Sequence, residues 1–302
     1  MKNAPKSVTG LSLGVLSCCA GLAPGFSQTN SVTPLVELPI KLRQGDLMVE
    51  TRVNGSDPLS FKLDTGFGVT TIHPDLPERL KLTRNGHLTI EGIAGDEEAP
   101  TYSGAVFDFG GVNYQPRRVA SLPSEARRRF RHRDGILGAG FFRRFVVEID
   151  IEQRRMRLYE PERFSYQGKG EVVALQFKRD TPIIEASITP LERSAISDRF
   201  EIDTGCDDCV CLGQEFVAAH HLLDATNSAS GIKRGIGGTA EIQHGKLAEL
   251  RFGQLVVTNA SANFFREGSP AGRGQAGHIG LGALQRFKMI FDYSRRQMIL
   301  ER

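Results

Sequence analysis

The chain has 302 residues, of which 40% are apolar and 24% charged, a composition typical of a folded protein and not of a disordered one. Lys and Arg number 38 against 35 Asp and Glu, and a net charge of +3 is too small to indicate a dedicated nucleic-acid surface. We therefore predict no nucleic-acid partner. The length admits two domains of ordinary size.

Residues 1–27 have the pattern of a bacterial-type secretory signal peptide. Two lysines precede an apolar stretch at 11–23, and small residues allow cleavage after Ser27. That stretch is too short for a convincing membrane span, and no transmembrane run follows it. The sequence at 15–18 loosely resembles a lipobox, so a lipid anchor at Cys18 is an alternative. We expect an exported protein, either periplasmic or secreted.

The chain contains an internal repeat. Residues 135–158 and 277–300 share nine identities in 24 positions at a constant offset of 142, where unrelated segments would share about one or two. Upstream, Phe-Lys-Leu-Asp-Thr-Gly at 61–66 matches Phe-Glu-Ile-Asp-Thr-Gly at 200–205. Since the order of the segments is kept, the chain is a duplication.

The repeat defines the domain organisation. We predict an N-terminal lobe over 35–163, a polar linker over 164–170 and a C-terminal lobe over 171–302. β-Branched and other apolar residues at 146–151, and again at 288–293, lead through a polar break into a second apolar run, which predicts a hairpin in each lobe. Helical periodicity is brief. The sequence therefore predicts a mainly β fold in two similar lobes with few short helices.

Each half carries an Asp-Thr-Gly turn at the end of a short alternating strand, with the acids at Asp64 and Asp203. One such triplet is a weak signal, because Asp and Gly are common turn formers. Here it occurs at equivalent positions in both halves. Each turn precedes an apolar–apolar–Gly segment, which ends 74 residues after the acid in the first half and 77 residues after it in the second. A duplicated structural turn without chemistry is the alternative.

The two Asp-Thr-Gly turns and their later apolar–apolar–Gly segments resemble the retropepsin-like aspartic proteases of the pepsin clan, with two lobes fused in one chain. The resemblance implies two closed β lobes related by a pseudo-twofold axis, with a catalytic pair in the cleft between them. It also implies hydrogen bonds between the threonines across the axis, and glycines that permit close backbone approach. The implied residues are the catalytic Asp64 and Asp203, the supporting Thr65, Gly66, Thr204 and Gly205, and, behind the turns, Ile136, Leu137, Gly138, Ile279 and Gly280.

In that family two carboxylates share one proton, because like charges about 3 Å apart cannot both ionise. The ionised carboxylate activates a water, and the protonated one donates to the scissile carbonyl. The resemblance implies a peptide or protein substrate, an acid-shifted pH profile, and no metal or other cofactor. Since one chain supplies both aspartates, we expect a monomer. Pairing of each lobe with a copy in another chain is the alternative.

Two glycine-rich segments are candidate flaps over the substrate. They lie at 90–95 and 235–238, between the turn and the apolar–apolar–Gly segment of each half. Their candidate residues are Ile93, Gly95, Gly237 and Gly238. Glycine in an exposed hairpin is equally common without a function, and this alternative stays open.

Three positions depart from the family pattern. Phe67 and Cys206 follow the two Asp-Thr-Gly turns, where the family usually places Ser or Ala, and His278 stands at the position equivalent to Ile136. Two further acids after Cys206, at 207 and 208, would raise the pKa of Asp203 if they faced it. The alternative function is therefore a catalytically inactive, protease-like peptide-binding or scaffold protein of the cell envelope.

Cys206, Cys209 and Cys211 form a Cys-x-x-Cys-x-Cys pattern. Structural zinc requires four ligands, and His220 and His221 lie nine or more residues away, so we predict no metal site here. A disulfide between two of the three cysteines, or buried free thiols, are the alternatives.

An arginine run at 127–133 precedes the first apolar–apolar–Gly segment. It is interpreted as a solvated face, with steering of an acidic substrate or contact with anionic lipid as the alternatives.

Overall fold

The computed structural model describes residues 32–122, 132–223, 229–271 and 274–302. The predicted signal peptide, the possible anchor at Cys18 and most of the arginine run lie outside these residues. The described residues form a mainly β structure with four short helices, as the sequence predicts. None of these helices has the length and apolar character needed to cross a membrane.

The first half supplies the strands β1 Val36–Arg43, β2 Asp46–Val53, β3 Leu59–Leu63, β4 Thr71–Ile72, β5 Thr83–Gly92, β6 Gly95–Ser103, β7 Phe107–Asp108, β8 Asn113–Tyr114, β9 Val119–Ser121, β10 Gly135–Leu137, β11 Val146–Asp150 and β12 Arg155–Tyr159. The second half supplies β13 Glu171–Ala174, β14 Gln176–Lys178, β15 Thr181–Pro190, β16 Ile196–Asp203, β17 Val210–Leu212, β18 Ala229–Gly235, β19 Gly238–Phe252, β20 Leu255–Phe265, β21 Gly277–Gly280, β22 Lys288–Asp292 and β23 Gln297–Glu301. The helices are α1 Leu76–Arg79, α2 Ala139–Arg144, α3 Gln214–Ala219 and α4 Leu281–Leu284.

The C-terminal lobe is a closed six-stranded barrel. Its strands pair in the order β15-β16-β21-β17-β20-β19, and β19 returns to pair with β15. Closure removes the unpaired strand edges that an open sheet would expose. The interior is packed with fully buried aromatic side chains, among them Phe200, Phe252 and Phe264.

The N-terminal lobe follows the same path with one interruption. The order β2-β3-β10-β4-β9-β6 matches the barrel of the C-terminal lobe, and β7 closes the ring by pairing with β2. Residues 104–106 separate β6 from β7, whereas the equivalent β19 runs unbroken for 15 residues. The core of this lobe contains Phe61 and Phe107, whose rings meet edge to face at 5.2 Å.

A six-stranded sheet joins the two lobes. Its order is β13-β23-β22-β11-β12-β1. Each half contributes three strands, and those of one half, counted from its edge inward, are equivalent to those of the other. The two predicted hairpins, β11–β12 and β22–β23, are both present. They meet through the antiparallel pair β11–β22, in which Val147 lies opposite Phe291. The pseudo-twofold axis therefore passes between these two strands.

The segment predicted as a linker, 164–170, contains no helix or strand. Phe164, at its start, packs on Tyr159 with ring centroids 5.0 Å apart. Both belong to a small buried cluster that includes Ile290 and Ile299 from the C-terminal hairpin. The segment thus runs along the six-stranded sheet.

Candidate active site

The two Asp-Thr-Gly turns lie at the ends of β3 and β16, each of which is buried beside a parallel neighbour. In the first half β10 pairs with β3, placing Leu137 opposite Leu63, and the Asp64 N–H donates to the Leu137 carbonyl at 3.1 Å. In the second half β21 pairs with β16, placing Ile279 opposite Ile202. The apolar–apolar–Gly segments therefore form the strands directly beside the turns.

Both segments end against the backbone that follows the turns. After Gly138, the Ala139 N–H donates to the Phe67 carbonyl at 2.8 Å. The Gly280 N–H donates to the Cys209 carbonyl at 2.9 Å. Each turn is thus held from behind by main-chain hydrogen bonds, which leave the aspartates facing the other half of the molecule.

Thr65 and Thr204 join the two turns by four hydrogen bonds. The Thr65 N–H donates to Thr204 Oγ1 at 3.1 Å, and the Thr204 N–H donates to Thr65 Oγ1 at 3.0 Å. Each hydroxyl also donates to a carbonyl of the opposite strand, Thr65 to Ile202 at 2.7 Å and Thr204 to Leu63 at 3.1 Å. Both threonines are fully buried. The four bonds form two equivalent pairs, as a twofold relation requires.

Gly66 and Gly205 each lie against the aspartate of the other half. A Cβ added to Gly66 would come within 2.6 Å of Asp203 Oδ1, and one added to Gly205 within 2.1 Å of Asp64 Oδ2. Neither position can hold a side chain unless the carboxylate moves. The Gly205 N–H also donates to Asp203 Oδ1 at 2.8 Å. The two carboxylates therefore come together at the centre of the molecule.

Asp64 is buried, with 7% of its surface exposed. Burial raises the pKa of its carboxyl, and the neighbouring Asp203 raises it further through charge repulsion and a hydrogen bond between the two side chains. The cations Lys62 and Arg133 oppose this rise, and the pKa of Asp64 settles at about 7. A carboxyl that keeps its proton close to neutrality is the form needed for one member of an acid–base pair.

Lys62, a residue not singled out in the sequence, lies beside Asp64. Its Nζ is 3.8 Å from Asp64 Oδ2 and 2.8 Å from Asp46 Oδ1, and it donates to the Gly205 carbonyl. His132 Nε2 and Arg133 contact Asp46 Oδ2 at 2.7 and 3.0 Å. The first aspartate is thus bordered by a buried network of charged residues. The available signal was a lysine between Phe61 and Leu63 in a short strand that ends at the Asp-Thr-Gly turn.

In the second half His278, on the neighbouring strand β21, lies beside Asp203 as Lys62 lies beside Asp64. Its Nδ1 is 3.3 Å from Asp203 Oδ2, and the ring is buried at 5% exposure. Burial lowers the pKa of His278, but the facing Cys206 sulfur and the Asp203 and Glu201 carboxylates outweigh it and raise the pKa to about 10. The residue that departs from the repeat therefore places a positive charge beside the second aspartate.

The two acids that follow Cys206 bind a lysine. Lys233 Nζ contacts Asp207 Oδ1 at 3.1 Å and donates to Asp208 Oδ2. Phe67, the departure in the first half, packs with Ile136 and Leu122 and lines the cleft. Neither Phe67 nor the two acids that follow Cys206 push the two Asp-Thr-Gly turns apart.

The candidate flaps are the tips of two hairpins, β5–β6 and β18–β19, which touch each other. A Cβ added to Gly92 would lie 2.2 Å from the Ile236 carbonyl, and one added to Gly237 would lie 2.1 Å from that of Gly95. The Gly237 N–H donates to Glu97 Oε1 at 2.9 Å, which links the hairpins. Gly237 has φ +80°, a conformation that side chains disfavour. Main chain thus meets main chain at the tips, where Ile93 and Gly238 also lie.

A cleft of about 1590 Å³ runs between the lobes, and Asp64, Asp203 and both hairpin tips line it. Cationic and acidic side chains lie along its edge, including Arg179, which pairs with Glu91 of the first hairpin. Its size suits an extended chain of several residues more closely than a single small molecule.

Comparison with known proteins gives a family match and a fold match. Residues 49–141 match the aspartyl protease family model. The fold is similar to that of the aspartic proteinase from Irpex lacteus, with a TM-score of 0.58 and 15% identity over 88% of this chain and 96% of that one. No curated protein matches. The fold resemblance to two-lobed aspartic proteases inferred from the sequence is therefore confirmed, and the family match adds to it over the first half.

Proposed function

We propose that this chain, which combines an aspartyl-protease family segment with the fold of an aspartic proteinase, is an aspartic endopeptidase. In this proposal Asp64 and Asp203 activate one water for attack on a peptide bond. The observation that carries it is the meeting of the two carboxylates on the pseudo-twofold axis, with the pKa of Asp64 raised to about 7. Two acids that merely ended structural turns would have no reason to face each other in a buried cleft.

The surroundings of the two aspartates suggest different roles for them. Asp64 keeps its proton up to about pH 7, so we assign it as the acid that donates to the scissile carbonyl oxygen. Asp203 faces the positively charged ring of His278, so we assign it as the base that takes a proton from the attacking water. The proton received by the base can later pass to the leaving amine.

The hairpin tips supply a binding mode for the substrate. Their touching backbones form a roof over the cleft, and an extended peptide can pair with such strands through main-chain hydrogen bonds. The tips must separate to admit it, as lids do in many enzymes. We therefore propose a peptide or protein substrate bound in extended form beneath both hairpins.

We also propose that the protein is exported and acts as a monomer. The signal-like pattern at 1–27 supports export to the periplasm or beyond, with a lipid anchor at Cys18 as the variant of that route. A monomer is supported by the contribution of both halves of one chain to one cleft.

The direct test is cleavage of a mixed peptide library by the full chain between pH 3 and pH 8. Asp64→Asn and Asp203→Asn are each expected to lower kcat by about 10²- to 10⁴-fold, the usual contribution of a positioned acid or base. Asp57→Asn, at an exposed position, is the matched control and keeps the wild-type rate. A folded wild type that cuts no peptide at any pH would reject the peptidase and leave the envelope binding or scaffold protein.

A further inference from the structure

A cluster of two buried thiols, a buried imidazole and a partly exposed carboxylate lies directly behind the second turn. The donor atoms of Cys206, Cys211 and His278 all lie within 4.8 Å of one another, and all three residues are buried. Asp208 Oδ2 lies 3.5 Å from Cys206 Sγ and 3.4 Å from Cys211 Sγ. The proposed peptide chemistry uses none of the sulfurs.

The spacing of the two sulfurs and the Asp208 oxygen is close to that of three ligands in a tetrahedral metal site. The two sulfurs are 3.9 Å apart. Around one Zn²⁺, with Zn–S about 2.3 Å and Zn–O about 2.0 Å, tetrahedral angles place two sulfurs about 3.8 Å apart and a sulfur and an oxygen about 3.5 Å apart. The three distances measured among Cys206, Cys211 and Asp208 therefore lie within about 0.1 Å of those values.

We propose that Cys206, Cys211 and His278, with Asp208 as the fourth donor, bind one thiophilic divalent cation of the Zn²⁺ type. Two thiolates and a carboxylate around a divalent ion leave one negative charge, which the ammonium of Lys233, bonded to Asp208, balances. Binding releases the two thiol protons and the Nε2 proton of the His278 imidazolium to solvent, and the ring then binds the ion as a neutral ligand. Without an ion, the buried Nε2 of His278 has no hydrogen-bond partner among the described residues, which is unfavourable for a buried polar atom.

An outer contact holds one of the donors, Cys211, in place. Asn263 Nδ2 donates to Cys211 Sγ at 3.6 Å, and the Asn263 amide oxygen is 2.6 Å from His244 Nδ1. Asn263 is itself buried at 3% exposure. Contacts of this kind orient metal ligands and contribute to affinity. The cleft, which Cys206, Cys211 and His278 line, provides an entry path for the ion.

The Cys-x-x-Cys-x-Cys pattern led us to predict no metal site in this loop. Cys209, the middle thiol of the Cys-x-x-Cys-x-Cys pattern, packs in the main hydrophobic core, apart from the cluster of Cys206 and Cys211. His278, 67 residues beyond Cys211 in the chain, takes its place. The sequence-based argument against metal considered only nearby histidines, and strand pairing of β17 with β21 brings in a distant one.

The His278 imidazole would bind the proposed ion through one ring nitrogen and face the proposed catalytic base, Asp203, with the other. His278 Nδ1 faces Asp203, while its Nε2 is buried and makes no hydrogen bond among the described residues. A metal bound to Nε2 would fix the proton on Nδ1, where it points to the Asp203 carboxylate. Such a carboxylate–histidine–metal chain would set the orientation of Asp203 from behind the turn.

The test titrates the reduced, chelator-treated full chain with Co²⁺ and then displaces it with Zn²⁺. We expect one metal per chain and the thiolate-to-cobalt absorption of a tetrahedral site. Cys211→Ser and His278→Ile, the second of which copies the first half, should lose that absorption. Asn263→Ala should weaken Zn²⁺ binding about 10- to 100-fold. Cys209→Ser is the matched control and keeps both absorption and affinity.

Several outcomes would overturn the proposal. One is the absence of metal binding by the reduced wild type. Another is a loss of binding in Cys209→Ser equal to that in Cys211→Ser. The third is a protein that forms a Cys206–Cys211 disulfide in air and, once this is reduced, still shows no cobalt band. All readouts are spectroscopic, so the metal proposal and the peptidase proposal can fail independently. Far-ultraviolet circular dichroism establishes beforehand that each variant is folded.

Discussion

Each lobe places a cationic side chain beside its aspartate, but the two lobes take that side chain from opposite members of the same cross-strand pair. In the N-terminal lobe Lys62 on β3 lies opposite Ile136 on β10. In the C-terminal lobe the equivalent pair is Glu201 on β16 opposite His278 on β21. Lys62 approaches Asp64, and His278 approaches Asp203. This pair of strands thus supplies a cationic neighbour to each aspartate, from its own strand in one lobe and from the neighbouring strand in the other.

This difference shows which features of the site the two halves of a duplicated chain must have in common. The backbone hydrogen bonds of the turns and threonines are symmetric, because both halves need the same geometry at the axis. The cations need only be near a carboxylate, since charge interactions have little directional preference compared with hydrogen bonds. The two halves therefore differ in their charged residues while they agree in backbone geometry. Substitutions at the axis and at the cations test how far that agreement extends.

The largest expected effect is on stability at different pH values. The pKa of Asp64 is raised from its ordinary 3.8 to about 7 by burial and by Asp203, against the opposing charges of Lys62 and Arg133. This raised pKa favours the folded state below about pH 4, and the benefit is lost as the pH rises through 7. The free energy of unfolding should fall by up to about 4 kcal/mol over that interval. Urea unfolding at each pH measures it. Asp64→Asn should flatten the profile, and parallel profiles for the two proteins would contradict the assignment.

The second effect is on catalysis, through the glycines of the two turns. Gly205→Ala would place a Cβ 2.1 Å from Asp64 Oδ2, and Gly66→Ala would place one 2.6 Å from Asp203 Oδ1. Displacing a reacting group by about 1 Å costs about 10²-fold in rate, so both variants should lose about that much kcat, Gly205→Ala the more. Gly68→Ala is the control, because no atom lies within 4 Å of its added Cβ. Full activity in Gly205→Ala would show that the carboxylates are not held together.

The threonines test the symmetry itself. Thr65→Val and Thr204→Val each leave a buried backbone N–H and a carbonyl without a partner, which should lower the free energy of unfolding by about 1–3 kcal/mol. Because the four bonds form two equivalent pairs, the two losses should be equal. Thr→Ser at either position keeps the hydroxyl and serves as the control. A clear difference between the two valine variants would mean that the lobes are not equivalent at the axis.

The smallest expected effect concerns Lys62. Its Nζ is 3.8 Å from Asp64 Oδ2 but 2.8 Å from Asp46 Oδ1, and a nearby opposite charge lowers the pKa of a carboxyl by about 1–3 units. Because Asp46 shares this charge, Lys62→Met should raise the pKa of Asp64 by about one unit, the lower end of that range, and move the alkaline limb of the kcat profile to higher pH by the same amount. Lys62→Arg keeps the charge and should keep the limb. Movement of the limb towards lower pH would contradict the role given to Lys62.

The sequence predicted the parts of the molecule that are local or repeated. Asp64, Asp203 and the hairpins at β11–β12 and β22–β23 follow from motifs and periodicity within short segments. The break at 104–106 between β6 and β7 was not predicted. Lys62 was missed because a single charge in a short strand does not reveal which way it points. The metal ligands were missed because His278 reaches the sulfurs only through the pairing of β21 with β17, a contact between distant parts of the chain.

The six-stranded sheet has a consequence for how the chain folds during synthesis. Until β22 is made, β11 presents an unpaired edge of a hairpin that is largely buried in the finished molecule. Exposed edges of this kind invite pairing between chains, and sheets joined by distant strands close slowly. A partly synthesised chain that lacks β22 is therefore the form most exposed to aggregation.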